Sequence, residues 1–305
     1  MHSVPETKVV DGQTYKLSFH DEFDGAALDM TKWRHRILGP PGGGSHPLFF
    51  TKDASFLDRE GNLVMLLYTR PRADLSPDVA AQFKWKKWIP FTSMLRTKKE
   101  FTYGYHEVRV KMPIVKGAGM AVWMQSRGQT SRTPSPDPKV GAEIDLLEQT
   151  FFDKYGKPTD FKHSTIHWGG YGDTHQWVSI TVRPLSQKPQ NWDEELNLRN
   201  QENTVGGLVH EKMSHYSDDL DFRDGEFHTV GVLWTREFYK FYYDHELIGT
   251  IRKGVSESPA YMILWPRLYN YARLVDNTAD GMGDREQTKA RFVVDYYRVY
   301  MPATD

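Results

Sequence analysis

The stretch Gly141-Ala-Glu-Ile-Asp-Leu-Leu-Glu-Gln149 sets three carboxylates among apolar residues. Side chains of an extended strand alternate between faces, so Glu143 and Asp145 share one. Glu148 lies an odd five positions from Glu143 and would point the other way. One extra residue taken up in a β-bulge near Leu146–Leu147 returns it to the common face. The outer pair is then four effective strand steps of about 3.3 Å apart, and the two long glutamates can lean together over Asp145. Like charges held close push their pKa values apart, so one carboxylate stays ionised while its neighbour keeps a proton. Retaining glycoside hydrolysis asks for such a pair: a nucleophile and an acid/base with carboxyl groups roughly 5–5.5 Å apart. Two other uses fit the same spacing. A solvated strand face carries scattered acids, and a hard cation such as Ca²⁺ also takes clustered carboxylates.

Such a row needs strands to hold it, and the chain is rich in them. Short runs such as Tyr15–Asp21, Asn62–Thr69, Gly119–Ser126, Ala142–Thr150, His163–Trp168, Phe227–Thr235, Ala260–Trp265 and Phe292–Tyr300 are separated by Gly, Pro, Asn and Asp. Tyr105–Met112 alternates, which predicts one buried and one wet face. Phe238–Tyr243 and Glu246–Ile251 flank Asp244-His245, the pattern of a hairpin with a two-residue turn. Many short antiparallel strands with few helices predict an all-β sandwich. Long loops are expected near 39–47, 71–90, 130–140 and 181–224, and three prolines keep Thr133–Lys139 out of any central strand. No linker divides the chain, so 1–305 is read as a single domain.

Composition narrows the function. Lys+Arg is 39 and Asp+Glu is 40, a formal charge of −1, which does not suit general nucleic-acid binding. Cysteine is absent, which excludes disulfides, a thiol nucleophile and thiolate-bound metals. No run of 18 apolar residues is present, so no membrane span is expected. The 41 aromatic residues (9 Trp, 16 Tyr and 16 Phe) suit strands and also the apolar faces of sugar rings.

Beyond the carboxylates, the chain resembles glycoside hydrolase family 16, the laminarinase, lichenase, agarase and carrageenase group. Glu143-Ile-Asp-Leu-Leu-Glu148 is similar to that family's E-x-D-x-x-E signature in its bulged form. Phe19-His-Asp-Glu-Phe-Asp24, Gly61-Asn-Leu-Val64, Phe101–Lys111, Ala121-Val-Trp-Met124, Phe227–Trp234 and Val294–Tyr300 match in the family's order, from about residue 17 to 300. The resemblance implies a jelly-roll β-sandwich of the concanavalin A-like lectin and glucanase type, with a concave cleft. It implies Glu143 as nucleophile, Asp145 as its assisting carboxylate and Glu148 as acid/base, cleaving internal β-1,3 or β-1,4 bonds of a polysaccharide with retention. Catalysis then requires no cofactor.

The same resemblance nominates substrate-binding residues. Trp123 is expected as a sugar platform and His167 as a neighbour of the acid/base. Trp168 and Trp265 are candidate cleft aromatics, and Trp265-Pro-Arg267 departs from the commoner family text. His163 and His167 have helix-like zinc spacing, but on a strand they stand about 13 Å apart and cannot share one metal. Glu22, Gly61 and Asp295 match the positions of a structural Ca²⁺ site in many members; the alternative is that the two carboxylates simply accept backbone hydrogen bonds. Trp33-Arg-His-Arg36 and Lys84-Trp-Lys-Lys-Trp88 mix cations with aromatics, and Arg36 is a candidate contact for sulfate or carboxylate. This mixture tilts the expected substrate towards a β-galactan of the agar, porphyran or carrageenan kind. A β-1,3-glucan is the alternative, and a carbohydrate-binding sandwich without catalysis is the reading from outside enzymes. A monomer is expected, and a polymeric substrate implies secretion or a periplasmic or cell-surface location.

Overall fold

The computed structural model describes residues 4–40, 48–83, 87–153, 155–190, 202–205, 208–268 and 282–303, with 202–205 described in backbone only. Among these, two nine-stranded sheets face one another and a three-stranded sheet flanks them. The outer sheet runs Thr7–Val10, Gln13–Asp21, Arg291–Pro302, Gly104–Lys111, His228–Trp234, Tyr239–Tyr243, Glu246–Ile251, with Ser55–Leu57 and Leu63–Leu66 joined to Arg291–Pro302. The inner sheet runs Glu202–Val205, Leu208–Tyr216, Gln176–Arg183, Pro158–Trp168, Ala142–Phe152, Ala118–Ser126, Ala260–Leu268, Leu95–Thr97, Trp33–His35. Nearly every pairing is antiparallel, as the alternating runs predict. No helix of the described residues is long and apolar enough to cross a membrane.

Alternation decides what each face of the inner sheet does. Met120, Val122, Met124, Ile144 and Ile166 point into the core and are fully buried. Their neighbours in sequence, Ala121, Trp123, Gln125, Glu143, Asp145, Thr165 and His167, take the other face. Bulk apolar side chains leave water on one side of the sheet, and polar groups are left on the side where substrate could reach them.

The bulge expected near Leu146–Leu147 is present. Asp145 pairs with Thr165 while Glu148 pairs with His163, so three steps on one strand oppose two on the next. On the other side Trp123 meets Asp145 and Val122 meets Leu147, two steps against one. Leu146 and Leu147 are both fully buried. The Leu146 carbonyl, inside the bulge, accepts a hydrogen bond from Ser164 Oγ at 2.7 Å, and Ser164 Oγ also lies 3.1 Å from the Tyr243 hydroxyl. A buried carbonyl in an irregular strand needs such a partner.

The Asp244-His245 turn joins its two strands with both residues at positive φ, 45° and 69°, the twist that a two-residue hairpin requires. Three expectations change. Gly104–Lys111 has no wholly wet face, because the N-terminal hairpin covers it: Val10, Tyr15, Tyr105, Leu233 and Tyr300 form a second small core. Region 181–224 is not one loop. Gln176–Arg183 continues into it, and Leu208–Tyr216 pairs with that strand in parallel. Leu208–Tyr216 lies near the sheet edge, half-buried on both faces, so its sequence shows little period. Region 71–90 likewise carries a short helix, Pro77–Ala81, and the strand Trp88–Thr92. Residues 41–47, 84–86 and 191–201 lie outside the described residues.

Glu22, Gly61 and Asp295 do line one cavity on the outer sheet, of about 920 Å³. Their chemistry does not suit a calcium ion. Arg298 donates to both Glu22 oxygens, at 3.0 and 2.6 Å, and Arg109 donates to Asp295 at 2.5 Å. Two guanidiniums thus supply the positive charge that a hard cation would bring.

Two outcomes follow. Ser164→Ala strands the Leu146 carbonyl and should cost about 1–3 kcal/mol, read as a lower melting temperature; an unchanged Tm would show that the bulge needs no such partner. Chelation by EDTA should leave the Tm where it stands in added Ca²⁺, whereas a rise of several degrees with Ca²⁺ would restore the metal reading.

Candidate active site

Three rows cross the polar face of the inner sheet. Tyr261, Gln125, Glu143 and His167 align through successive pairings, as do Ile263, Trp123, Asp145 and Thr165, and then Trp265, Ala121, Glu148 and His163. On the unbulged neighbour the partners of Glu143 and Glu148 are Gln125 and Ala121, an even four steps apart. The bulge has therefore placed all three carboxylates on one face.

Each carboxylate has its own set of partners. Glu143 Oε2 accepts from Gln125 Nε2 at 3.0 Å and from the Tyr171 hydroxyl. Asp145 is 3% exposed, and its Oδ2 lies 3.3 Å from His167 Nε2. Glu148 Oε2 lies 2.7 Å from His163 Nε2, and its Oε1 pairs with Arg267. His167 in turn meets His175, Nδ1 to Nε2, at 2.9 Å, with the rings stacked.

Burial governs the electrostatics. Removal from water and then the charge of Asp145 push Glu143 up to about 7, against the opposing pull of His167, Tyr171 and Arg267. Burial likewise pushes Asp145 up to about 7. The charge of Asp145 couples the titration of Glu143 to its own. Burial holds His163 and His175 down to about 4 and lowers His167, so all three imidazoles are neutral at pH 7. His163 Nδ1 is buried without a hydrogen-bond partner, so the tautomer with its proton on Nε2, facing Glu148, leaves only a lone pair unsatisfied.

The expected substrate residues divide. Trp265 stands in the row of Glu148, partly exposed, with the Arg267 guanidinium 5.2 Å from its ring centre. Arg36 reaches the site, 5.0 Å over the Trp123 ring, and donates to Gln125 Oε1. Trp123 is on the right face but is no open platform: it is 8% exposed under Arg36, and its Nε1 has no hydrogen-bond partner. Trp168 is not in the site. It follows His167 directly, so alternation turns it into the core, where it is 3% exposed against Gly254. A three-carboxylate cation site is not formed either, because Arg267 and His163 hold Glu148. The described donors with metal-like spacing are Glu143, Asp145 and His167.

Sequence reasoning missed Tyr171, Gln125, His175 and Trp177. The first belongs to a glycine-rich loop with no periodicity. Trp177 pairs with His167, and because Val178, Ile180 and Val182 alternate into the core, the parity of the strand puts Trp177 on the site face.

Comparison with known proteins agrees with this fold. Residues 62–194 match the model of glycosyl hydrolases family 16. The Beta-glucanase of Rhodothermus marinus is 24% identical over 299 residues, 94% of this chain and 85% of that protein. The Beta-1,3-glucan-binding protein of Penaeus monodon is 29% identical over 171 residues, 55% of this chain and 37% of that protein. The structure of the endo-beta-1,3-glucanase from Pyrococcus furiosus matches the fold with a TM-score of 0.64 at 24% identity, covering 99% of this chain and 100% of that one. The bulged carboxylate strand lies inside the matched segment, and the family model, the relatives and the fold together support a glycoside hydrolase similar to glycosyl hydrolases family 16.

Proposed function

We propose that the chain is an endo-acting, retaining hydrolase of β-1,3-glucans. The observation that carries the chemistry is the single row Glu143–Asp145–Glu148, brought to one face by the bulge and surrounded by neutral histidines. The substrate rests on the relatives: one is named a Beta-glucanase, one a Beta-1,3-glucan-binding protein, and one solved neighbour is an endo-beta-1,3-glucanase. The residues that would meet an anionic galactan are occupied otherwise. Trp33 is fully buried, with its Nε1 donating to Asp21 at 2.8 Å, and Arg36 is spent on Trp123 and Gln125. Lys84–Lys86 lies outside the described residues.

In this reading Glu148 takes up a proton as substrate displaces Arg267 from its Oε1, and gives that proton to the glycosidic oxygen while Glu143 attacks the anomeric carbon. The bond to the leaving sugar breaks, and a covalent glycosyl-enzyme forms. Glu148, now charged, takes a proton from water, whose oxygen displaces Glu143 and restores both groups. Asp145, on the same face as Glu143, raises its proton affinity, so Glu143 attacks once it has lost its proton to water. Polymers of this size are met outside the cell, so export goes with the proposal.

Reducing-end release from laminarin tests it. Glu143→Ala should abolish turnover with the fold intact. Glu148→Ala should also fail on laminarin yet form the glycosyl-enzyme from an aryl glycoside whose leaving group needs no proton. Binding of laminarin with no new reducing ends from the unmodified chain would favour a binding module, and longer products would mark transfer to sugar in place of water.

The pH profile gives a second test. Attack requires ionised Glu143, whose proton affinity is raised, so kcat/KM should fall as pH drops through about 7. Asp145→Asn removes the adjacent negative charge and should move that acid limb to lower pH, by about one unit, along with a loss of kcat. A limb near the ordinary glutamate value in the unmodified enzyme would contradict the assignment.

A further inference from the structure

The loop after strand Pro158–Trp168 is built to deliver one side chain. Gly169 and Gly170 both take positive φ, 77° and 73°. A Cβ on Gly170 would stand 2.4 Å from Pro134 Cγ, so only glycine fits against the proline-rich loop. The Gln129 side-chain amide clamps Gly170 from both sides: Nε2 donates to its carbonyl and Oε1 accepts from its N–H, each at 3.1 Å. Thr174 Oγ1 closes the turn on the Gly169 carbonyl at 2.6 Å. The next residue, Tyr171, leaves 53% of its surface exposed, yet its hydroxyl reaches inward to Glu143 Oε2 and accepts from Gln125 Nε2 at 2.5 Å. A half-exposed aromatic ring is thus tied by its hydroxyl to the half-buried Glu143 carboxylate.

We propose that Tyr171 is the positioning residue of the nucleophile: its hydroxyl and Gln125 hold Glu143 Oε2, Oε1 is thereby presented for attack, and the exposed ring forms a wall for the reacting sugar. The inference rests on Glu143 being the nucleophile. Glu143 is faced by Asp145 on its own strand, by His167 on the next, by Tyr171 from the loop and, from the far strand, by Arg267. Gln125 touches it as well, with Arg36 and the Tyr261 hydroxyl behind. Of these, Asp145 opposes its charge, and Tyr171 donates a hydrogen bond that favours it. The phenol itself is pushed up by burial and by Glu143, so it remains a donor throughout the working range.

Tyr171→Phe keeps the ring and removes the donor. On laminarin it should lower kcat about ten- to a hundred-fold with KM changed less than about two-fold. It should also move the acid limb of kcat/KM up by about one pH unit, because the charged form of Glu143 has lost a donor. Tyr171→Ala should show the same kcat loss and, in addition, a several-fold higher KM. Gly170→Ala, which leaves Tyr171 intact but displaces the loop, should reproduce the lowered kcat. Tyr171→Phe with the unmodified kcat and pH profile, beside an inactive Glu143→Ala, would overturn the inference alone. An active Glu143→Ala would overturn the reading of the nucleophile as well.

Discussion

One extra residue in strand Ala142–Phe152 decides what this sheet can do. Without it, the alternation that buries Ile144 and Leu146 would turn Glu148 into the core, a carboxylate among aliphatic side chains with no counter-charge. The bulge instead sends both leucines inward and brings Glu148 back beside Asp145 and Glu143. The fold meets the irregularity locally: Ser164 takes the Leu146 carbonyl, and Tyr243 from the facing sheet joins that hydroxyl. Core packing and site geometry are therefore one constraint, since the same register shift satisfies both.

Electrostatics follow from that placement. Three acids in a row on a sheet that partly buries them repel one another, and loss of water raises the proton affinity of Glu143 and Asp145 together. The surroundings separate their roles. Neutral donors, Gln125 and Tyr171, attend Glu143; His167 attends Asp145; His163 and Arg267 attend Glu148. Histidines kept neutral by burial can give or accept a hydrogen bond without adding a charge to a crowded site. The outer sheet answers a similar need differently, with Arg298 on Glu22 and Arg109 on Asp295.

Much of this is legible in the sequence because period-two patterns are. The carboxylate strand, its bulge and the Asp244-His245 turn follow from spacing and residue type, since the side-chain period of a strand is fixed. Trp168 shows the limit of reading residues by type alone: the parity that places His167 in the site places its neighbour in the core. Trp33 fails likewise, because a tryptophan beside arginines says nothing about which side of a sheet it takes. Tyr171, carried by a loop whose path depends on Gln129 and Pro134, has no periodic signal at all; Arg267 shares the parity of Trp265, but its partner Glu148 lies more than a hundred residues away on another strand. The pairing of Leu208–Tyr216 with Gln176–Arg183 is parallel and non-local, which no short pattern specifies.

The central claim is that Glu143 bonds to the sugar. An activated 2-fluoro-β-laminaribioside slows release of a glycosyl-enzyme enough for it to be isolated and its peptides mapped by mass spectrometry. The account predicts one adduct per chain, on Glu143, absent in Glu143→Ala and slow to form in Tyr171→Phe. An adduct on Glu148, or turnover of laminarin by a chain that never carries the label, would contradict it.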